Sequence, residues 1–481
     1  MRTSIPVLLL GASLAACAAG PDYAPPAIPA TATGAFVGKA PDVVAEGEPE
    51  TRWWRLYDDP RLDAIVATAL AHNADLRVAV ANLSAAEAVL AEARDGRMPQ
   101  TAVAASSVYG RRQPPLFLGG DRLVYGGGAQ LSYEADLVGR VARTIEAARA
   151  DAEAEAFARA AVQVRIVSAV TGAYLSACTA AQAAAVIRSS IALATERARI
   201  VDRQERAGSL ATLDVARAEA QLAETRAQLA PVENARAAAL FELAALSGLS
   251  PAQVPQEAAR CDSPPEPQGP IRIGDGASLL RRRPDVAQAE RRLAAATARI
   301  GVAVADLYPR LTIGGNLSRT GGDGIGAGRG FAFGIGPALS LSFPHSGAAR
   351  ARVRQARGRA EAALAVFDGT IVTALKEVEQ ALAADRAAID RQAALAASER
   401  RADQAFRLAD QRYRAGSIAY IDSLVAQGEL VRLRLARTEA DRAVAFARVD
   451  LFRALGSGQD ATDHPRIDLA ARDGATTISE R

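Results

Sequence analysis

The residues that most often carry catalytic or metal chemistry are few and widely spaced in this chain. No HExxH motif, no CxxC pair and no Walker-type glycine-lysine loop occurs. A glycine-rich stretch at 321–330 lacks the strand-to-helix setting of a phosphate-binding loop. The histidines and cysteines are His72, His345, His464, Cys17, Cys178 and Cys261. We therefore expect no enzyme, no metal site and no diffusible cofactor.

Cys17 is the residue whose surroundings predict a covalent modification. A positive residue, Arg2, precedes an apolar stretch at 5–14, which together are typical of a secretory signal. The motif Leu14-Ala15-Ala16-Cys17 resembles a bacterial lipobox. That resemblance implies that residues 1–16 are removed and that Cys17 carries lipid. By resemblance to Gram-negative lipoproteins, the absence of an aspartate directly after Cys17 implies the outer membrane and not retention in the inner membrane. The alternative is a plain signal peptide with an accidental cysteine.

Composition limits the partners and the architecture. The chain has 481 residues, with 57 lysines and arginines against 54 acids and a net charge of +3. Such a balance argues against a nucleic-acid partner, which usually requires a basic surface. Aromatic residues are only 5% and alanine is abundant, which favours closely packed helices over a thick globular core. After the leader, no stretch reaches 18 uncharged apolar residues, so we expect no helical membrane span.

The sequence contains an internal repeat, so that its second half resembles its first. Arg206-Ala207-Gly208-Ser209 recurs as Arg414-Ala415-Gly416-Ser417, an offset of 208. Upstream, an offset of 210 carries Asp75 onto Asp285 and Pro99 onto Pro309. We predict a signal peptide at 1–16, a lipid-anchored tether at 17–50, a first repeat at 51–250, a proline-rich linker at 251–276, a second repeat at 277–458 and a tail at 459–481.

Each repeat has helices that are too long for a globular core. The stretches 140–206 and 348–413 contain no proline and would each form a helix of about 100 Å at about 1.5 Å per residue. Arginine, glutamate and glutamine are interspersed with alanine, leucine and valine along them, as in a long coiled-coil surface. Cys178 falls in the first of these helices and Cys261 in the linker. We expect these two thiols to be unpaired, although the periplasm permits disulfides.

Four segments show the alternation of transmembrane β-strands, at about 100–111, 123–137, 310–320 and 330–343. In the last, Phe331, Phe333 and Ile335 alternate with small residues. A half-buried soluble sheet shows the same period, but the strand lengths and the lipobox favour the membrane. Four strands are too few to close a barrel, and an open edge in lipid leaves backbone groups unpaired. The chain is therefore predicted to oligomerise.

Several motifs together resemble one family. Arg282-Arg283-Pro284-Asp285-Val286, Ala305-Asp306-Leu307-Tyr308-Pro309 and Trp53-Trp54 are similar to signatures of the TolC-like outer-membrane factors, in their NodT-like efflux lipoprotein branch. The resemblance covers about residues 17–458. Val138 departs from it, because an aromatic residue is common there.

This resemblance implies an α+β membrane protein in which a long-helix α-barrel continues a transmembrane β-barrel. Each chain would supply two tandem repeats and four strands, and a homotrimer would complete the barrel. The protein would be the passive outer-membrane exit duct of a tripartite efflux pump. Its partners would be outer-membrane lipid, a periplasmic adaptor protein and an inner-membrane pump of the resistance–nodulation–division type. Two alternatives are a non-conducting lipoprotein rod and a simple diffusion porin.

The same resemblance implies a closed gate at the two helix turns, Gly208-Ser209 and Gly416-Ser417. By position, Asp214 matches a gate aspartate, Tyr413 matches its tyrosine partner and Asp422 matches an entrance aspartate. Two departures, Ile418 and Val425, replace polar residues of the family and predict a weaker gate. The alternative is that Asp214 and Asp422 cap the helices after the turns.

Overall fold

The computed structural model describes residues 18–38, 44–45, 47–110, 121–322, 330–341 and 346–459. The strands are β1 (Val44–Ala45), β2 (Gln100–Gly110), β3 (Arg122–Ala135), β4 (Ile271–Arg272), β5 (Arg310–Gly322) and β6 (Phe331–Ser340). The helices are α1 (Pro60–His72), α2 (Ala74–Asp95), α3 (Arg140–Arg206), α4 (Thr212–Ala227), α5 (Leu229–Leu246), α6 (Gln256–Ala259), α7 (Gly276–Arg282), α8 (Pro284–Ala305), α9 (Ser346–Arg414) and α10 (Tyr420–Ala454). Short 3-10 turns lie at Ala30–Ala32, Trp53–Tyr57 and Pro251–Gln253.

The order of elements confirms the internal repeat. A helix pair, two strands and a helix of 67 residues in the first half return as a helix pair, two strands and a helix of 69 residues in the second. The final helix differs between the halves. α10 is continuous over 35 residues, whereas its counterpart is divided into α4 and α5 at Gln228. Pro231 explains the division, because it has no N–H to donate to the carbonyl of Ala227.

The chain divides into two compact units, and each unit takes segments from both repeats. The first contains residues 1–26, 82–156 and 288–369, and the second contains 27–81, 157–287 and 370–481, within the described ranges. The repeats are therefore not two consecutive globular domains. The reason is physical: each long helix runs through both units, so neither repeat folds as a separate globule.

The first unit contains an antiparallel sheet in the order β2-β3-β5-β6. Its register places apolar residues opposite one another, as in the pairs Tyr133–Ile313 and Leu317–Phe333. Neighbouring pairs on the other face are small or polar, as in Ser318–Ala332. Phe333 is 77% exposed, so the apolar face has no covering layer within the described chain. β2 and β6 each pair on one side only among the described strands, which leaves two open edges.

The residues just after Cys17 are docked onto the first unit and do not form a free tether. The amide of Ala19 donates to the carbonyl of Val138 at 2.8 Å. Arg143 forms an ion pair with Asp22. Tyr23 packs against Ala150, Ala294 and Ala295 and donates its hydroxyl to Glu290. The sequence suggested an extended spacer because the segment is rich in proline, but its side chains have specific partners.

The second unit has the main hydrophobic core. Trp53 is fully buried and stacks on Phe452 with 4.6 Å between the ring centroids. Asp59 caps α1 by accepting from the amide of Arg61 at 2.9 Å, and it also accepts from the hydroxyl of Tyr174 at 2.6 Å. Burial opposes ionisation of Asp59, but the bonds from Arg61 and Tyr174 outweigh it and hold the pKa of its carboxyl below the ordinary value.

Cys178 and Cys261 form a disulfide, so the expectation of two unpaired thiols was wrong. Both residues are fully buried, and the bridge attaches the proline-rich linker to α3. The linker is not a loose spacer, since it also contains α6 and the strand β4, which pairs with β1 in parallel. The thiols lie 83 positions apart in sequence, and local patterning alone gave no sign of their contact.

One helix, α3, contains an 18-residue stretch long and apolar enough to cross a membrane, although 72% of that stretch is buried inside the protein. The pair α1 and α2, bent by 44°, meets the same criterion when taken together. Core helices of soluble proteins also meet it, so these helices are weak evidence for a helical span. The sequence criterion did not select α3 because its longest uncharged stretch, at 166–187, is interrupted by serine, threonine and glutamine residues.

Candidate gate at the helix turns

Two turns of the same design lie in the second unit. Gly208 joins α3 to α4, and Gly416 joins α9 to α10, with φ of +75° and +74°. In each turn the amide three residues beyond the end of the helix bonds back across the last turn, from Ser209 to Gln204 and from Ser417 to Arg412, at 2.8 and 2.9 Å. This is the Schellman arrangement, which requires a left-handed residue. A Cβ at either position would meet open space, so lack of room does not explain the glycine. Glycine is needed because the turn requires a positive φ.

Asp214 and Asp422 occupy the third positions of the helices that follow these turns. The N-cap positions belong to Ala211 and Ala419, which make no side-chain capping bond. The capping alternative for the two aspartates is therefore not the arrangement found. Carboxylates in the first helical turn still interact favourably with the helix dipole. Asp214 also lies 3.6 Å from Arg217.

Tyr413 is half-buried near the end of α9, close to the turns. Its hydroxyl donates to Oε1 of Gln204 at 2.5 Å, and its ring lies 5.5 Å from that of Tyr420. A phenol has one proton, so within this chain Tyr413 donates to Gln204 and not to Asp214. Burial raises the pKa of the Tyr413 hydroxyl, with a smaller contribution in the same direction from the nearby charge of Asp214.

Arg197 is the residue at this site that sequence reasoning missed. It forms an ion pair with Asp410, donates to Oγ of Ser423 at 3.2 Å and lies over the ring of Phe406 at 5.3 Å. Its side chain is only 7% exposed. These contacts connect α3 to both α9 and α10. No sequence signal pointed to them, since Arg197 and Asp410 are 213 positions apart.

The other predicted residues lie on the surface. Asp422 is exposed in the first turn of α10, and Val425 one turn later is 65% exposed. Ser417 donates its hydroxyl to the carbonyl of Arg412 at 3.0 Å, which stabilises the turn. Cys17 lies outside the described residues. Within the described part of the chain, no group of three or more histidine, cysteine or acidic residues could hold a metal ion.

Comparisons with known proteins bear on the whole chain. The profile of the family described as "Outer membrane efflux protein" matches residues 65–249 and 277–457. The chain is 30% identical over 465 residues to the outer membrane protein OprJ of Pseudomonas aeruginosa, covering 95% of this chain and 96% of that protein. It is 28% identical over 480 residues to Nodulation protein T of Rhizobium leguminosarum bv. viciae, covering 96% and 91%.

A solved structure agrees with the sequence comparisons. The outer-membrane channel OprN superposes with a TM-score of 0.84 at 32% identity, covering 92% of this chain and 99% of that chain. The described helices, sheet and internal repeat are thus those of a known channel architecture. The chain belongs to the family of outer membrane efflux proteins.

Proposed function

We propose that this protein is the outer-membrane channel of a tripartite efflux pump and serves as a passive exit duct for small molecules. The observation that carries the proposal is the four-stranded sheet, which has an apolar face and two open edges. Three copies would supply twelve strands, enough for a closed transmembrane barrel. The long helices would continue this barrel into the periplasm. There they would dock a periplasmic adaptor and an inner-membrane pump of the resistance–nodulation–division type.

Conduction separates this proposal from the two alternatives. Purified protein reconstituted in planar lipid bilayers should give discrete single-channel currents, which a non-conducting rod would not give. In cells, deletion of the gene should raise sensitivity to exported compounds, whereas expression of the channel without an inner-membrane pump should not increase leakage. Leakage without a pump would indicate a diffusion porin. Absence of both currents and sensitivity would contradict the proposal.

The lipid anchor on Cys17 is part of the proposed assembly. The contacts of Ala19, Asp22 and Tyr23 within the first unit support it, because they fix the start of the described chain beside Val138, just after β3. Mass spectrometry of the mature N-terminus should find cleavage before Cys17 and acyl groups on its amine and thiol. An unmodified Cys17, or cleavage at another bond, would contradict the anchor while leaving the channel proposal intact.

The turns would form the closed periplasmic entrance, with Tyr413, Asp214 and Asp422 near it. Contacts of Tyr413 with Gln204 and of Arg197 with Asp410 support a closed bundle at this end of the second unit. Asp214→Ala and Tyr413→Phe should each raise the open fraction in single-channel recordings. Wild-type conduction by both variants would contradict the gate. The exposed Val425 and the half-buried Ile418 offer no polar link, so we expect a weak closure.

A further inference from the structure

The first turns of α9 carry an unusual excess of positive charge. Between residues 346 and 360 there are five arginines and no acid. Cations at a helix N-terminus are disfavoured by the helix dipole, so this segment needs a source of negative charge. For Arg352 that negative charge is the carboxylate of Asp306, 3.9 Å away. Arg352 and Arg359 both line a cavity of about 330 Å³ against α8. The three others, on a different side of α9, are Arg350, Arg354 and Arg357.

These three arginines are exposed and make no ion pair with any residue that the structure describes. A second exposed group of opposite sign lies on α2, where Glu87, Glu92 and Asp95 are likewise unpaired among the described residues. α2 leads into β2 and α9 follows β6, which are the two open edges of the sheet. In one chain these helices therefore flank opposite ends of the sheet.

The internal repeat indicates how the two groups meet. Within the chain, α3 follows β3 and packs antiparallel to α8, which leads into β5. Ala150 contacts Ala294 and Ala295, and three ion pairs lie along the seam. They are Arg291–Glu153 at 3.1 Å, Arg292–Glu155 at 3.7 Å and Arg299–Asp151. An offset of 208 carries α3 onto α9, and an offset of 210 carries α8 onto α2. The equivalent seam therefore joins α9 of one copy to α2 of another.

Transferring the contacts by these offsets fixes the register of that seam. The contact between Ala150 and Ala295 becomes a contact between Gly358 and Ala85. With the helices antiparallel, this contact places Asp95 opposite Ala348 and Glu92 opposite Ala351. These positions lie two and three residues from Arg350 and Arg354, or about 3 and 4.5 Å along the axis, which long arginine side chains can span. Glu87, two residues from Ala85, lies on the opposite side of α2, so two acids meet two arginines in this seam.

We propose that Glu92 and Asp95 of one copy and Arg350 and Arg354 of the next form the intersubunit seam below the sheet. The polarity of this seam is inverted relative to that inside the chain. Within the chain, α8 supplies the arginines and α3 the acids; between chains, α2 supplies the acids and α9 the arginines. Packing of a first repeat on another first repeat would oppose the acids of α2 to those of α3. Inversion therefore directs alternate repeats to join around a ring.

The position of the seam can be tested by cross-linking in the full-length protein in membranes. This inference rests on the homotrimer of the proposed function. Ala85→Cys combined with Gly358→Cys should cross-link neighbouring copies through a short bismaleimide and give dimers and trimers on a denaturing gel. A Cβ at Gly358 meets open space in the single chain, so the variant should fold. The matched control is Ala85→Cys with Gly369→Cys, which lies on the same face of α9 about 16 Å further along.

The charges can be tested by exchange. Glu92→Arg with Asp95→Arg, or Arg350→Glu with Arg354→Glu, should lower the ratio of trimer to monomer by at least about tenfold in native mass spectrometry. Combining all four changes should restore the wild-type ratio to within about threefold. Arg391→Glu, an exposed position further along α9, is the control and should have no effect.

The outcomes separate the inference from the function on which it rests. A wild-type protein that is monomeric would contradict the proposed trimeric channel. A trimeric wild type that cross-links equally through the control pair, or that is unaffected by the charge reversals, would overturn the seam. Loss of the trimer in both reversed variants without recovery in the combination would also overturn it.

Discussion

Arg197 offers a direct test of what holds the helix turns together. Replacing it with alanine removes the ion pair with Asp410, the bond to Ser423 at 3.2 Å and the contact with the ring of Phe406. Asp410 keeps one partner, since Arg414 lies 3.0 Å away and is 71% exposed. Arg197→Ala therefore weakens the connection of α3 to α9 and α10, and the carboxylate of Asp410 still has an ion-pair partner in Arg414.

The expected magnitude follows from these contacts. A hydrogen bond to a charged group contributes about 1.5–3 kcal/mol, a neutral acceptor about 1 kcal/mol and a cation–π contact about 0.5–1 kcal/mol. Removing the buried guanidinium also removes the cost of its desolvation, which offsets part of the loss. We expect a net decrease of about 2–3 kcal/mol in the local stability of the turns. That corresponds to an increase of about 30- to 150-fold in local opening.

Amide hydrogen exchange followed by mass spectrometry would measure this change. Peptides covering 195–215 and 403–425 should exchange about 30- to 150-fold faster in Arg197→Ala, while peptides from the sheet should be unchanged. Arg203→Ala is the matched control, because its pair with Glu196 spans 3.8 Å and both side chains are more than half exposed. Such pairs contribute less than about 1 kcal/mol. Equal exchange in the two variants would refute the reasoning.

Three further predictions concern other contacts. Tyr413→Phe and Gln204→Leu should each destabilise the closed state by about 1 kcal/mol and so raise the open fraction in single-channel recordings. Both variants remove the same hydrogen bond, so the effect of the double variant should be smaller than the sum of the two single effects. Replacing Cys178 and Cys261 with serine should lower the free energy of unfolding by about 2–4 kcal/mol, measured by denaturant titration against the oxidised wild type. Folding lowers the pKa of the Asp59 carboxyl, so its contribution to stability is present above the ordinary pKa of 3.8 and is lost as the pH falls through the lower folded value. The stability difference between wild type and Asp59→Asn should therefore shrink as the pH falls below about 4, and a constant difference would contradict this.

Features with a local period were predictable from the sequence. The alternation through Phe331, Phe333 and Ile335 gave a strand and its apolar face, because side chains of a strand point alternately to either side. The recurrence of Gly208 as Gly416 gave two equivalent turns, because a left-handed helix end strongly favours glycine. Each of these signals lies within a few residues of the structure that it specifies.

Contacts between distant segments were not predictable in the same way. The bond between Cys178 and Cys261 depends on how the linker folds back on α3, and neither neighbourhood records that path. Tyr413 was matched to Asp214 by its distance from a glycine, yet its hydroxyl donates to Gln204 in the packed bundle. In the sequence, Arg197 does not differ from other arginines of an amphipathic helix. Its ion pair with Asp410 forms only because α9 packs against α3. Such pairs are set by tertiary packing alone.

The break between α4 and α5 makes the two helical hairpins mechanically unequal. A helix bends most easily where its ladder of backbone hydrogen bonds is interrupted, and Pro231 interrupts it in the first turn of α5. α10 has no such interruption over its 35 residues and behaves as a stiff rod from Tyr420 to Ala454. A sideways displacement applied at Gly208 can thus be absorbed by bending near Gln228. The same displacement at Gly416 is carried along α10 as a lever, down to the core around Phe452.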